Sequence, residues 1–171
     1  KGEEVVAHNG MKARLHRPLD FLVIADHASN MGVMNGLEAG NPYLKNSKIG
    51  AEWVRRLKEI DEIAKQDKFK STALSQKLFF DGFFQGVVAD DQYRHFDWQK
   101  NAALADKYNR PGKFTAFIGY EWTQVLNNLH RVVIFKDSAE KAGQVIPFSQ
   151  YDSSDPEDLW RYLEDYQAKT G

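Results

Sequence analysis

Four side chains stand near the ends of apolar runs, where chemistry collects in α/β proteins: Asp26 and His27 after Phe21–Ala25, Glu121 late in Phe114–Thr123, and His130 at the head of Leu129–Phe135. Neutral imidazole and carboxylate together suit Zn²⁺, Mn²⁺ or Fe²⁺. An ion held by such a set lowers the pKa of water to roughly 7 and polarises a phosphoryl or carbonyl oxygen. The chain has no cysteine, so His, Asp and Glu must do any ligating, and disulfides and thiolate sites are excluded. A His or Glu that closes a buried strand is more often hydrogen-bonded structurally than metal-bound, so spacing alone leaves both readings open. Other chemistries lack a pattern. There is no GxxxxGK(S/T), GxGxxG, GxSxG or HExxH, and nothing singles out a glycosidase pair of carboxylates. His8 flanks an Asn9-Gly10 hairpin signal and His16 precedes Arg17-Pro18; both read as exposed turn residues, and His95 as a surface helix residue.

The elements that must position these residues follow from periodicity. Phe21–Ala25 reads as a strand buried on both faces, the kind found in parallel sheets under helices. Residues 33–47 read as an irregular excursion, and Ile49–Lys65 as an amphipathic helix with Trp53, Val54, Leu57, Ile60, Ile63 and Ala64 inward. The Phe79–Phe84 stretch clusters its phenylalanines on one side of a helix, with Gly82 and Gly86 weakening that assignment. Its first reading is core packing, or contact with a part of the protein outside this chain. A second helix is expected from about Gln92 to Tyr108. Phe114–Thr123 and Leu129–Phe135 read as strands joined by a short antiparallel turn. A turn centred on Val125-Leu126 would set Glu121 opposite His130, about 4.5–5.5 Å away. Lys136–Gly143 is expected to be a loop or short turn, and Val145–Phe148 a short extended piece ended by Pro147. Asp155 as N-cap and Pro156 at N1 start a last helix that runs to about Lys169, with Leu159, Trp160, Leu163 and Tyr166 inward. The alternation gives an α/β protein, part of a barrel or wound sheet.

Bulk composition narrows the class further. The 171 residues suffice for one domain with a core, and 42% hydrophobic with 27% charged content is that of an ordinary globular protein. Lys+Arg at 23 against Asp+Glu at 24 offers no basic excess to attract nucleic acid or anionic lipid. No apolar run approaches the length of a membrane span. The chain opens at Lys1-Gly2 without an initiator methionine or signal-like segment and closes on a helix-capping Gly171, so a piece of a longer protein is expected. Cytoplasm, periplasm and secretion all remain open as locations.

Four segments in order carry a resemblance: Arg17-Pro18-Leu19-Asp20-Phe21 through Ala25-Asp26-His27, Gly112–Thr115 through Ile118–Thr123, Asn127–Arg131, and Asp155–Trp160. They resemble an uncharacterised bacterial family, domain of unknown function 3604, which is similar to the polymerase-and-histidinol-phosphatase (PHP) superfamily of metal-dependent phosphoesterases. The resemblance covers nearly the whole chain. It implies a distorted (β/α)₇ barrel, here incomplete at both ends, with residues 33–108 as an insertion-like loop and helical region. It also implies a two- or three-metal cluster at the strand C-termini. His27 and His130 would be metal ligands and Glu121 a carboxylate bridging two ions. Asp26 would orient a ligand, and Asn128 and Arg131 flank His130 at positions that would meet substrate. The superfamily's opening His-x-His pair and its later histidines and Asp-x-His do not occur here. The expectation is therefore part of a metal-dependent hydrolase, most simply a phosphoesterase of a small-molecule substrate, using divalent Zn, Mn or Fe. Alone, this piece is expected to bind metal weakly or not at all and to be inactive. The alternative is a non-catalytic binding or interaction domain with a degenerate metal site, contacting the rest of its parent chain or a second copy. The missing first motif and the aromatic run favour that alternative.

Overall fold

A computed structural model describes residues 2–7, 9–85 and 90–171, with only the backbone of 83–85. His8 and Gly86–Val88 lie outside the described residues, as do the side chains of Phe83 and Phe84. The described part is mixed α/β, with seven helices and two small sheets. The first sheet is the expected hairpin: β1 (Val5–Val6) pairs antiparallel with β2 (Lys12–Ala13) across a turn in which Gly10 takes φ 83°. Glycine populates that left-handed region at little steric cost.

The second sheet carries the candidate residues. Its order is β3 (Phe21–Val23), β4 (Thr115–Gln124), β5 (Leu129–Phe135). β3 runs parallel to β4 and β5 antiparallel to it. Among the described residues the sheets do not close into a barrel. β3 is also not buried on both faces as its composition predicts: Phe21 is 65% exposed and Ile24 63%. Among the described residues it is a sheet edge with β4 as its one neighbour, so its apolar side chains have too little around them to cover them. Pairing pauses at Ile24–Ala25 and resumes in the same register, with Glu121 N–H donating to Asp26 O and Ala28 N–H to Glu121 O, both at 2.8 Å.

Helices cover one face of this sheet. Ile118, Tyr120 and Trp122 of β4 and Val133 and Phe135 of β5 pack on Trp98 and Ala102 of α5 (Asp91–Tyr108), on Ala142 of α6 (Ala139–Ala142), and on Leu159 and Tyr166 of α7 (Pro156–Thr170). The alternation follows the two-residue period of a strand. Asp155 caps α7 by accepting from Glu157 N–H at 2.9 Å, as the sequence predicts. Trp160 turns outward at 54% exposure, because Leu159 and Tyr166 already hold the buried stripe. Phe96 is likewise half exposed on α5, while Trp98 buries and donates its indole N–H to Ala142 O at 2.7 Å. His95 joins the same two helices: its Nε2 lies 2.7 Å from Gly143 O. Val145–Phe148 joins no ladder, and Lys136–Gly143 holds the short helix α6.

The excursion after His27 is more regular than its composition suggests. It folds into α1 (Val33–Glu38) and α2 (Pro42–Lys45), the latter started by an Asn41 cap and Pro42. Then come α3 (Lys48–Ala64) and α4 (Lys68–Gln85). These helices share a second core of Val33, Leu37, Leu44, Trp53, Ile60, Leu78 and Tyr93. Tyr93 belongs to α5, so that helix joins the two cores. Gly82 allows the contact between α3 and α4, since a Cβ there would lie 1.9 Å from the Trp53 ring. This is why a glycine inside an apolar helix is tolerated here despite its lower propensity.

Two predictions follow from this packing. A Cβ on Gly119 would meet Val23 Cγ2 at 2.6 Å and Val133 O at 2.7 Å. Gly119→Ala should therefore cost about 1–3 kcal/mol, read from urea denaturation, and adding Val23→Ala should not restore it because the carbonyl remains. Burial raises the Tyr93 and Tyr166 phenols to about 12 and pushes Tyr120 and Tyr162 higher still. Unfolded phenols ionise near 10. Stability from their neutral forms is full below about pH 10 and is lost as pH rises through the folded values. Tyrosinate absorbance should therefore show these phenols ionising together with alkaline unfolding rather than near pH 10.

Candidate metal centre

Strand pairing brings three separated residues together. The resumed β3–β4 register bridges His27 directly to Glu121. On the other side of β4, the hairpin closes at Gln124↔Leu129, which puts His130 opposite Thr123 and Val132 opposite Glu121. The expected Glu121–His130 pairing is corrected by this register. The turn spans the four residues 125–128 rather than two, with Asn128 N–H donating to Val125 O at 3.2 Å and Asn128 at φ 51°. The shift is by an even number of residues, so His130 stays on the Glu121 face.

The result is a compact cluster. His27 Nδ1 is 2.6 Å from Glu121 Oε2, and His130 Nδ1 is 3.3 Å from Glu121 Oε1. One ligand atom from each of the three lies within 4.8 Å of the others. The Glu121 side chain is 21% exposed and the two histidines about twice that, so the cluster is open to solvent on one side. Ligands sharing an ion at bonds of about 2.1 Å stand at most about 4.2 Å apart. Closure of this set by an ångström or so would bring two imidazoles and a carboxylate onto one borderline ion.

Thr123 sits at the centre of the cluster, and sequence reasoning did not single it out. Its Oγ1 lies 2.7 Å from His27 Nδ1, 3.2 Å from His130 Nδ1 and 3.3 Å from Glu121 Oε2. Thr123 is two residues beyond Glu121 on the same strand, so period-two alternation was the available signal. Asn128 holds the second histidine from behind: its Oδ1 lies 3.0 Å from His130 Nε2. With the proton on Nε2 donated to Asn128, the Nδ1 lone pair of His130 faces Glu121 and Thr123, the tautomer an ion requires. Arg131 and Asp26 fall elsewhere. Arg131 alternates to the other face of β5, pairs with Trp122 and lines a groove beside α7. Among the described residues the Asp26 carboxylate makes no hydrogen bond to the three ligand side chains. It alternates away from His27 toward α5, although the Asp26 carbonyl helps hold Glu121 in place.

Fold and site together define a mixed α/β protein with a preformed His/Glu/His cluster at one end of a three-stranded sheet. A family model described as "Protein of unknown function (DUF3604)" matches residues 1–171, and the chain belongs to that family. No curated protein and no solved structure matches it. No described helix is long and apolar enough to cross a membrane.

The geometry predicts how the supporting residues act. Thr123→Val and Asn128→Ala should each weaken Zn²⁺ or Mn²⁺ binding by roughly 10–100-fold in calorimetric titration, while thermal unfolding in chelator changes little. Unchanged affinity in both variants would contradict the supporting roles.

Proposed function

We propose that this chain carries the metal-binding part of a metal-dependent hydrolase, most simply a PHP-like phosphoesterase. The observation that carries the reading is the convergence of His27 Nδ1, the Glu121 carboxylate and His130 Nδ1 on one point at a solvent-open sheet end. Three protein ligands with one side open is the usual arrangement of catalytic rather than structural sites. The choice of substrate class rests on the resemblance of the segments around His27, Glu121 and His130 to the PHP phosphoesterases.

A divalent Zn, Mn or Fe ion held by His27, Glu121 and His130 would supply a water of lowered pKa and a Lewis acid for a phosphoryl oxygen. The chain's own residues do the rest. Glu121 turns one carboxylate oxygen toward each of the two imidazoles. Asn128 holds the proton of His130 on Nε2, away from the ligand atom. The Thr123 hydroxyl can donate to Glu121 and lies within hydrogen-bond reach of both imidazoles. Glu121 is also held by its backbone on the β3 side through Asp26 and Ala28, so the carboxylate rises from a fixed strand rather than a loop. Sites built on such elements keep their geometry better than sites on loops.

Metal content by mass spectrometry tests the reading. The missing motifs suggest weak binding or none, but the convergence of the three ligand atoms favours one equivalent of Zn or Mn per chain after loading, and near none in a Glu121→Ala, His130→Ala variant. In the native protein, hydrolysis of p-nitrophenyl phosphate should vanish with chelator and return with the ion. Metal content unaffected by the double substitution, or turnover that survives chelation, would contradict it.

A further inference from the structure

Next to the metal centre lies a cavity that the hydrolase reading does not use. It has a volume of about 530 Å³ and opens between the loop after His27 and helices α1, α3, α4 and α5. That falls within the roughly 300–1,000 Å³ of small-molecule sites. His27 forms part of its wall, so the cavity adjoins the metal ligands.

Its polar lining is under-satisfied. Asp97 of α5 is 8% exposed, yet among the described residues its carboxylate accepts one hydrogen bond, from Asn101 Nδ2 at 3.3 Å. A carboxylate can accept about four. Burial raises the Asp97 carboxyl above its ordinary value, Lys100 draws it down, and the negative Asp26 on the same wall raises it. Gly32, at φ 70°, presses against it; a Cβ there would meet Asp97 Oδ2 at 2.2 Å. Ser29 on the same wall is 7% exposed, and its hydroxyl has no partner among the described residues. An orphaned buried hydroxyl of this kind calls for a ligand or water. The ring of Phe96, half exposed, stands along the same cavity.

We propose that this cavity seats a neutral polyhydroxylated group, a sugar or polyol, carried by the molecule that the metal centre hydrolyses. Carboxylates at Asp26 and Asp97 accept from hydroxyls, while Asn101, Ser29 and Lys100 can donate to them. An anion would be repelled by Asp26 and Asp97, and a cation, though drawn by those two carboxylates, would leave the donors of Asn101, Ser29 and Lys100 without acceptors. A hydroxylated ring meets both donors and acceptors, and its C–H face can lie on Phe96 as on other apolar walls of small-molecule sites. The link to the hydrolysed molecule rests on the hydrolase reading; the ligand class of the cavity does not.

The test is saturation-transfer NMR on the chelator-treated, metal-free protein, with D-glucose, D-ribose and myo-inositol as probes and choline as a cationic control. Transfer to at least one of the three polyols is expected. Asp97→Ala should weaken that binding at least tenfold. Phe96→Ala, at a half-exposed ring, should weaken it severalfold and covers the case in which Asp97→Ala fails to fold. No transfer to any polyol, displacement of the polyol by choline, or unchanged binding in Phe96→Ala would overturn the proposal. The assay contains no metal, so a metal centre that fails to bind its ion leaves this result standing. An empty cavity in turn leaves the metal measurement intact.

Discussion

The site depends on one backbone register. β3 and β4 pair in parallel from Phe21↔Thr115, part at Ile24–Ala25, and rejoin without slipping at His27↔Glu121. A slip of one residue would turn His27 to the other face and destroy the cluster. The two 2.8 Å bonds at Asp26 O and Ala28 N clamp Glu121 from both sides and make such a slip costly. The β4–β5 ladder, seven paired residues long, then fixes His130 with no further freedom. The cluster is therefore a consequence of main-chain pairing, and the side chains need only ordinary directions to meet.

Packing holds that register in place from one side. Ile118, Tyr120 and Trp122 alternate with Gly119, Glu121 and Thr123 along β4, so the same strand anchors the core and displays the chemistry. Trp122 donates its indole N–H to Ser153 O at 3.3 Å, which ties the strand to the approach to α7. On the other face Phe21, Val132 and Ile134 stay exposed, and the ligand side chains stand at the end of that open surface. α5 extends the same logic to the helical region. It buries Trp98 in one core and Tyr93 in the other, and it places Asp97 on the cavity beside His27. Residues of α1, α3, α4 and α5 thus line a wall next to His27.

Much of this was legible in the sequence. The α3 and α5 periodicities, the Asp155-Pro156 start of α7 and the Leu129–Phe135 strand all appear where local pattern places them. Local signals of that kind are set by each segment's own residues. That His27, Glu121 and His130 gather at one place was also legible, because each stands near the end of an apolar run. What escaped depended on neighbours. Phe21–Ala25 has the composition of a doubly buried strand, but its burial depends on what lies beside it, and among the described residues only β4 does. The exact partner of His130 escaped because the Val125–Asn128 sequence carries no strong turn signal to choose a four-residue turn, which sets it opposite Thr123, over a two-residue one. Trp160 misled because apolar character alone does not say which side of α7 meets the sheet.

The most direct measurement is anomalous diffraction from crystals of this chain loaded with Mn²⁺. A single strong peak bonded to His27 Nδ1, His130 Nδ1 and a Glu121 oxygen, with Asn128 still on His130 Nε2, is the expected result. A peak away from these atoms, or none at saturating metal, would show that the cluster is a hydrogen-bonded structural feature and not a metal centre.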